Sequence, residues 1–257
     1  MPSILFERRE QVAIIRLNRP EKRNALSREM IAALADIFTS VEKQSDLRAI
    51  ILTGAGAAFC AGTDISQLTE LDDDRAREVS DRGQALCNQI ENCGVPVIAA
   101  VNGIAAGGGC ELALACHLRI AAVDAQFSLP ETKLGVIPAY GGTQRLAREI
   151  GEGRALEMML TGRTLPAAEA LELGLVTNVV PVADLLDEAL ALAKEIASLA
   201  PLAIHACLEA VNRGTQLPLD EGLALEAKLF ANLFSTEDVR EGTSAFLEKR
   251  SPVFKGK

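Results

Sequence analysis

The stretch VPVIAAVNGIAAGGGCEL, residues 95–112, contains a strand, a turn and the start of a helix in close succession. Residues 95–101 are apolar and rich in β-branched side chains, and they end at Asn102-Gly103, which predicts a buried strand closed by a turn. A helix is predicted to follow, over about 107–116. Because three successive glycines at a helix start are conformationally expensive, we expect the backbone there to approach a bound group closely.

The same alternation of strands and helices extends toward the N-terminus. Apolar runs at 11–17 and 47–53 predict two further buried strands, and the segment 27–43 between them has helical spacing with Ser27 as its N-cap. A longer helical segment is predicted over about 65–92, broken near an acidic run. Strands that alternate with helices in this way favour an α/β layer with mainly parallel pairing.

Toward the C-terminus the pattern changes from mixed to helical. A short strand is predicted at 118–122 and one further apolar run lies at 175–180, but most of the chain after about Gly141 has helical spacing. The last predicted helices span 185–199, 201–212, 219–234 and 236–249. The final third therefore resembles a helical appendage on an α/β core.

Length and composition are those of an ordinary globular protein. The 257 residues are 49% hydrophobic and 24% charged, enough to bury a core without disulfides or metal. The net charge of -9 opposes binding to nucleic-acid phosphates, so we expect no nucleic-acid partner. The sequence has neither an apolar signal core nor an apolar run of membrane-spanning length, so we expect a cytoplasmic protein with no membrane partner.

The residues of common nucleophilic and metal sites are missing or badly spaced. The six cysteines form no C-x-x-C pair, and we expect reduced, mostly buried thiols and no metal site. There is no G-x-S-x-G or H-E-x-x-H sequence. Of the two histidines, His117 directly follows a cysteine and His205 lies inside a helical run, so neither is expected to be a catalytic base. Carboxylates remain as the candidate acid–base groups.

Two loops have backbone N–H groups that can meet a ligand. The first, 57–64, joins a strand end to a helix start through small residues; a tight turn with Asp64 as N-cap explains the same residues. The second precedes Glu111 and matches neither the phosphate-binding loop nor the dinucleotide fingerprint, which leaves the Gly108 N–H as a donor to a developing negative oxygen. Glu111 is either a proton-transfer group or an acid that complements the helix dipole.

A third loop, 127–146, contains a second candidate carboxylate. Glu131 follows Pro130 and has apolar neighbours, where desolvation would raise its pKa and suit it to proton transfer near neutral pH. A solvent-facing glutamate is the alternative interpretation of the same position.

Taken in order, these segments resemble the enoyl-CoA hydratase/isomerase (crotonase) superfamily. The matching segments are LNRP (17–20), NAL (24–26), F-x-A-G-x-D (59–64), PVIAAVNG (96–103), GGGCEL (107–112), PE (130–131), GGTQRL (141–146) and E-G-x-x-A-F-L-E-K-R (241–250). The resemblance covers essentially the whole chain. It implies a crotonase-like α/β spiral of repeated ββα turns over 1–200, holding the CoA and active site, and a C-terminal helical trimerisation region over 201–257. Trimers of this family commonly pair into hexamers.

The resemblance also implies a reaction on an acyl-CoA substrate. The N–H groups of Thr63 and Gly108 are similar in position to the two that stabilise a thioester enolate in the family. Glu111 and Glu131 occupy both carboxylate positions of its hydratases, which implies Glu111 as the base on water and Glu131 as the acid at C2 of a 2-enoyl-CoA. An isomerase, or a hydratase of a branched, methylglutaconyl-type enoyl-CoA, is the alternative. A non-catalytic CoA- or RNA-binding member is disfavoured by the carboxylate pair and the negative net charge.

By the same resemblance, coenzyme A enters as part of the substrate, and no separate cofactor or metal is implied. The expected binding residues are Lys22, Arg23, Ala25, Leu26, the backbone of Ala61, Asp64 and Ile65, and Phe246 and Lys249 of a neighbouring subunit.

Three positions depart from the family pattern. Thr63 stands where alanine is common, Ser66 stands where the mitochondrial short-chain hydratase has lysine, and Ala139-Tyr140 replaces a more usual glycine followed by alanine or tryptophan. The Ser66 difference removes one expected CoA contact. Tyr140 either shapes the acyl pocket or simply packs in the interior.

Overall fold

Within residues 2–67, 69 and 71–257, which the computed structural model describes, the strands form two sheets. The strands are β1 (Ile4–Arg9), β2 (Val12–Leu17), β3 (Ala49–Gly54), β4 (Ala58–Cys60), β5 (Val97–Val101), β6 (Ile104–Ala106), β7 (Leu118–Ala122), β8 (Gln126–Ser128), β9 (Leu165–Pro166) and β10 (Asn178–Val180). The larger sheet has the order β1-β2-β3-β5-β7-β10, parallel except for the β1–β2 pair. The smaller sheet has the order β4-β6-β8-β9, with only β8 and β9 antiparallel.

Helices follow the strands in a regular order. The α-helices of the described residues are α1 (Arg28–Val41), α2 (Asp73–Glu91), α3 (Gly108–Ala115), α4 (Gly142–Ile150), α5 (Glu152–Thr161), α6 (Ala167–Glu172), α7 (Leu185–Ala197), α8 (Pro201–Gly214), α9 (Leu219–Leu233) and α10 (Glu237–Glu248). The pairs β3/β4, β5/β6 and β7/β8 each place one strand in the larger sheet and the next in the smaller, before the chain enters a helix. This is the expected ββα repeat, and the α/β fold prediction is confirmed.

Several element predictions need correction in detail. The predicted 65–92 helix is a 3₁₀ turn at Ile65–Gln67 followed by α2, with residues 68 and 70 of that span outside the described residues. Of the apolar run at 175–180, only the last residues form a strand, β10. The N-terminal strand β1 and the short strands of the smaller sheet were not predicted. Ser27 is the N-cap of α1 as expected, since its side chain accepts from Met30 N.

The central strands β2, β3, β5 and β7 of the larger sheet are buried on both faces, which explains their continuous apolar sequences. One face packs against α7, and the opposite face packs against the helices on the side of α1, α2 and α3. The first face contributes Val12, Ile14, Ala49, Ile51, Ile98, Ala100, Ile120 and Ala122. The helices α1 to α3 and the connections before them are therefore fixed by a packed core.

Two asparagines hold the turns at the carboxyl ends of these strands. Asn24 is fully buried, and its amide donates to the carbonyls of Ala55 (2.9 Å) and Ala58 (2.7 Å) while its Oδ1 accepts from Arg19 N (2.9 Å). Asn102 accepts from Gly54 N (3.0 Å) and donates to the carbonyl of residue 56 (2.9 Å). Because buried backbone groups need partners, these amides fix loops that would otherwise have unpaired carbonyls.

Among the described residues, no single helix is long and apolar enough to cross a membrane. The helical stretches 182–197 and 201–214 meet that criterion only when taken together, across a bend of 106°.

Asn24→Ala is expected to destabilise the fold strongly. The variant removes the donor to the half-buried carbonyl of Ala55 and the acceptor of the Arg19 N–H. It leaves the buried carbonyl of Ala58 with the longer side-chain bond from Asn102 at 3.3 Å. These losses cost about 2–4 kcal/mol and lower the thermal midpoint by roughly 5–10 °C. Asn92→Ala is the matched control, because Asn92 is exposed and its amide donates to a carbonyl one turn earlier in the chain. Thermal denaturation followed by circular dichroism measures both, and equal midpoints for the two variants would contradict the role given to Asn24.

Candidate active site

The three loops singled out in the sequence meet at one cavity of about 380 Å³. Its polar lining includes Thr63, Gly108, Glu111 and Glu131, together with the Tyr140 side chain. Its apolar lining is contributed mainly by α2 and by the segment after Glu131, through Leu71, Ala76, Val79, Leu134, Val136, Ile137 and Ala139. The cavity therefore combines an apolar wall with two carboxylates and exposed backbone.

The first two predicted CoA-binding segments lie side by side, and the second of them, 61–65, contributes to the cavity lining. Ala61 N donates to the carbonyl of Arg23 (2.9 Å), Leu26 N donates to the carbonyl of residue 62 (2.7 Å), and Asp64 N donates to the carbonyl of Leu26 (2.9 Å). These bonds hold 23–26 against 61–64 in a short parallel pairing.

The Asp64 side chain stabilises this pairing of the two segments. Its carboxylate accepts from Ser66 Oγ (2.8 Å) and from Arg19 (3.2 Å), and these hydrogen bonds lower its pKa. Arg19 in turn donates to the carbonyl of Ala25 (2.7 Å). The Arg19–Asp64 ion pair thus links the two segments, and Ser66 anchors Asp64.

The remaining predicted binding residues are spread over the surface of the single chain. Lys22 and Arg23 are exposed, beside a 3₁₀ turn at Pro20–Lys22, and Ile65 is half exposed on the cavity rim. Phe246 and Lys249 lie at the end of α10 outside the cavity lining, and Phe246 is 83% exposed. One chain therefore does not bring these last two residues into its own cavity.

The two residues whose backbone N–H groups the resemblance implies as enolate donors, Thr63 and Gly108, both belong to the cavity lining. Among the described residues, neither amide donates a backbone hydrogen bond. Gly108 is the first residue of α3, where helix geometry leaves the N–H without an intrahelical acceptor. The two amides are available to a ligand oxygen.

Glycine is required immediately before this helix. Gly107 has φ +51°, and a Cβ built on it would lie 2.7 Å from Glu131 Oε1. A side chain here would meet both backbone strain and the carboxylate. The glycine run thus lets Glu131 approach the start of α3.

The Glu111 carboxylate is buried and held by backbone donors. Its side chain is 2% exposed, and Oε1 accepts from Tyr140 N (2.7 Å) and Gly142 N (2.7 Å). Burial raises the pKa of Glu111, whereas these two N–H groups and the Arg145 charge act in the opposite direction. Burial is the larger effect, so the pKa of Glu111 lies above its ordinary value, while the two N–H donors hold the carboxylate in place.

The loop that supplies those donors is itself held in place. The carbonyl of Ala139 accepts from Ser80 Oγ (2.8 Å) and Gln84 Nε2 (3.1 Å), both on α2. The carbonyl of Tyr140 accepts from Arg145 (3.0 Å), which is paired with Glu91 of α2 at 2.8 Å. Sequence reasoning gave Arg145 no role, although it belongs to the quoted segment 141–146.

Glu131 has the opposite environment. Its Oε2 is buried without a hydrogen-bond partner among the described residues. Burial, reinforced by the nearby Glu111 charge, raises the pKa of Glu131 from 4.5 to about 7. A large fraction of this carboxyl is therefore protonated at neutral pH, which suits an acid.

The histidines and cysteines, all of which the structure describes, do not line the cavity. Val97 N donates to His117 Nδ1 (2.9 Å), so Nε2 carries the proton and donates to the carbonyl of Glu91 (3.1 Å), and burial lowers the pKa of this neutral ring. His205 is exposed on α8. All six cysteines are free and five are buried, as expected. Among the described residues, no three His, Cys, Asp or Glu side chains are grouped so as to hold a metal ion.

Comparisons with known proteins agree over the whole chain. The family model for enoyl-CoA hydratase/isomerase matches residues 7–257. A probable enoyl-CoA hydratase of Mycobacterium bovis is 46% identical over 98% of this chain and 97% of its own length. A short-chain-enoyl-CoA hydratase of Clostridium acetobutylicum is 41% identical over 96% of this chain and 95% of its own length. The crystal structure of an enoyl-CoA hydratase from Bacillus anthracis superimposes with a TM-score of 0.96 at 42% identity, with 100% of both chains covered.

Glu131→Gln is expected to change how stability depends on pH. Because the pKa of Glu131 is about 7 in the folded chain and ordinarily 4.5, its stabilising contribution is complete below the lower value and is lost as the pH rises through the higher one. Glutamine does not titrate, so from about pH 5 to pH 8 the variant should gain roughly 1–3 kcal/mol relative to wild type. Denaturation at a series of pH values measures this difference.

The control for that series is Glu172→Gln, which changes an exposed glutamate at the end of α6. It should follow the wild-type pH dependence throughout. A Glu131→Gln difference that stays constant with pH would show that Glu131 titrates at its ordinary value.

Proposed function

This chain belongs to the enoyl-CoA hydratase/isomerase family, and on that basis we propose that it hydrates the 2,3 double bond of a 2-enoyl-CoA thioester to give the 3-hydroxyacyl-CoA. The observation that carries the proposal is the pair of carboxylates in one cavity with opposite environments. Glu111 accepts from two backbone N–H groups, whereas Oε2 of the half-buried Glu131 has no hydrogen-bond partner among the described residues. Hydration needs one base and one acid at the same double bond, so this pair supports hydration.

In the proposed reaction the thioester carbonyl accepts from the N–H groups of Thr63 and Gly108. Both amides line the cavity beside the carboxylates. As water attacks, negative charge develops on that carbonyl oxygen, and fixed N–H donors stabilise the resulting enolate more than the neutral thioester. Removing one such donor costs about 3–4 kcal/mol of transition-state stabilisation in other enzymes.

The two carboxyls then complete the addition. Glu111 accepts a proton from water as the water oxygen bonds to C3, the π electrons between C2 and C3 form the C1–C2 double bond of the enolate, and the carbonyl π electrons move onto the thioester carbonyl oxygen. Glu131 donates its proton to C2 as the thioester carbonyl re-forms. Glu111 is then protonated and Glu131 ionised, and proton exchange with solvent restores both for the next turnover. No separate cofactor or metal enters this proposal, since coenzyme A is part of the substrate.

The binding of CoA and the assembly of subunits are proposed together. Segment 61–65 contributes to the cavity lining and segment 22–26 pairs with it, so the exposed Lys22 and Arg23 bring positive charge near the cavity that suits CoA phosphates. Phe246 and Lys249 would complete the site from a neighbouring subunit. The C-terminal helices support such contacts, because they expose large apolar side chains: Leu219, Leu223, Phe230, Phe234, Phe246 and Leu247. We therefore propose 201–257 as the oligomerisation region of a trimer or hexamer, beside a core over 1–200.

Glu111→Gln and Glu131→Gln should each lower the hydration rate of crotonyl-CoA by about a hundredfold or more, because each removes a proton-transfer group and keeps its shape. Binding of butyryl-CoA, which cannot react, should change little. Loss of the enoyl absorbance measures turnover, and calorimetry measures binding. Glu172→Gln is the surface control, and full activity in either active-site variant would rule out the two-carboxylate mechanism.

Assembly and activity are expected to depend on the same C-terminal region. Sedimentation should show three or six copies of the chain, and Phe246→Ala should raise KM for crotonyl-CoA more than it lowers kcat, because the phenyl group contacts CoA and not the reacting carbons. Glu248→Gln, an exposed neighbour on α10, is the control. An active monomer at assay concentration would refute a site completed by a second subunit.

A further inference from the structure

Tyr140, the single tyrosine of the chain, is held by two separate sets of contacts. Its backbone N–H donates to Glu111, as described above, while its ring fills a space between two helices. A Cβ on Gly83 of α2 would lie 1.9 Å from Tyr140 Cδ1, and a Cβ on Gly108 of α3 would lie 3.0 Å from Tyr140 Cε2. The ring thus occupies the space that a larger residue at position 83 would need.

A hydrogen bond fixes the far end of the ring. Thr63 Oγ1 donates to Tyr140 Oη at 3.0 Å, and the side chain as a whole is 4% exposed. Thr63 and Gly108 are the two cavity-lining residues whose N–H groups are the proposed donors to the thioester oxygen. The Tyr140 side chain therefore lies next to both of these residues.

A second, smaller cavity lies behind this ring. It has a volume of about 20 Å³ and is lined by Leu26, Arg28, Ile31 and Arg82 together with Thr63, Val79 and Tyr140. Those last three residues also line the cavity with the two carboxylates. The hydrogen-bonded Thr63–Tyr140 pair, with Val79 beside it, is therefore the partition between the two spaces.

We propose that Tyr140 is a specificity-determining residue, which closes the inner end of the acyl pocket and restricts the enzyme to short enoyl groups. The proposal rests on the proposed function, because it places the thioester carbonyl at the Thr63 and Gly108 amides. A carbonyl bound there lies beside the Tyr140 ring, which packs on the same glycine. An acyl chain that extends inward past C4 meets the ring, and a buried, hydrogen-bonded ring cannot swing aside without losing both its packing and its bond to Thr63.

The test compares a long and a short substrate in ring-deleting and ring-keeping variants. Tyr140→Ala joins the two cavities, so the ratio of kcat/KM for 2-decenoyl-CoA to that for crotonyl-CoA should rise about tenfold or more. Tyr140→Phe keeps the ring and should change the ratio by less than about threefold. Tyr140→Leu, a smaller reduction in volume, should give an intermediate gain and serves if the alanine variant folds poorly.

Binding of unreactive thioesters separates this proposal from the proposed function. The ratio of the Kd for decanoyl-CoA to that for butyryl-CoA, measured by calorimetry, should fall in Tyr140→Ala by a similar factor and stay near wild type in Tyr140→Phe. If wild type hydrates crotonyl-CoA but neither ratio moves in Tyr140→Ala, the partition is wrong and the hydratase stands. If no enoyl-CoA is hydrated while the binding ratio falls, the partition stands and the hydratase is wrong.

The packing of the Tyr140 ring against Gly83 can be tested separately through thermal stability. Gly83→Ala should lower the thermal midpoint of the wild type, because the added methyl overlaps the ring, and should have little effect in the Tyr140→Ala background. Equal losses in both backgrounds would show that the ring does not occupy the space between α2 and α3, which would overturn the proposal.

Discussion

Burial of the Glu111 carboxylate is the constraint on which the site depends. A carboxylate removed from water is stable as an anion only if donors replace the lost hydration, and here Tyr140 N and Gly142 N do so at 2.7 Å each. These donors point inward only because the loop carbonyls are held from the other side, by α2 and by Arg145. The position of one carboxylate thus fixes the path of 139–142 and the packing of α4 against α3.

The contrast between the two carboxyls follows from where their donors are. Glu111 accepts from two N–H groups of a loop, whereas Glu131 Oε2 has no donor among the described residues. The nearby charge of Glu111 also disfavours ionisation of Glu131. Two glutamates in one cavity thereby differ in their hydrogen-bond partners, while burial raises the pKa of both. Tyr140 connects this contrast to the shape of the pocket, since its backbone stabilises one carboxylate while its side chain forms the inner wall.

Sequence reasoning was accurate where the signal is local and failed where it is not. The strand 95–101 and the helix after it were predicted because apolar runs and glycine turns encode them directly, and observed β5 and α3 lie within two residues at each end. The strands β4, β6 and β8 are three residues each, too short for any periodicity to show. The roles of Gly83 and Arg145 could not be predicted, because each depends on contact with residues more than fifty positions away or on a loop conformation that no pattern specifies.

Glu91, at the end of α2, shows how the last helices connect to the active-site loop. Its carboxylate binds Arg145, which holds the carbonyl of Tyr140. Its own carbonyl accepts from His117 and, at 2.6 Å, from Asn212 Nδ2 on α8. Since α8 belongs to the proposed oligomerisation region, the residue that supports the Glu111 loop also contacts that region. The C-terminal helices therefore bear on the active site through this internal contact as well as through any residue that a second subunit brings.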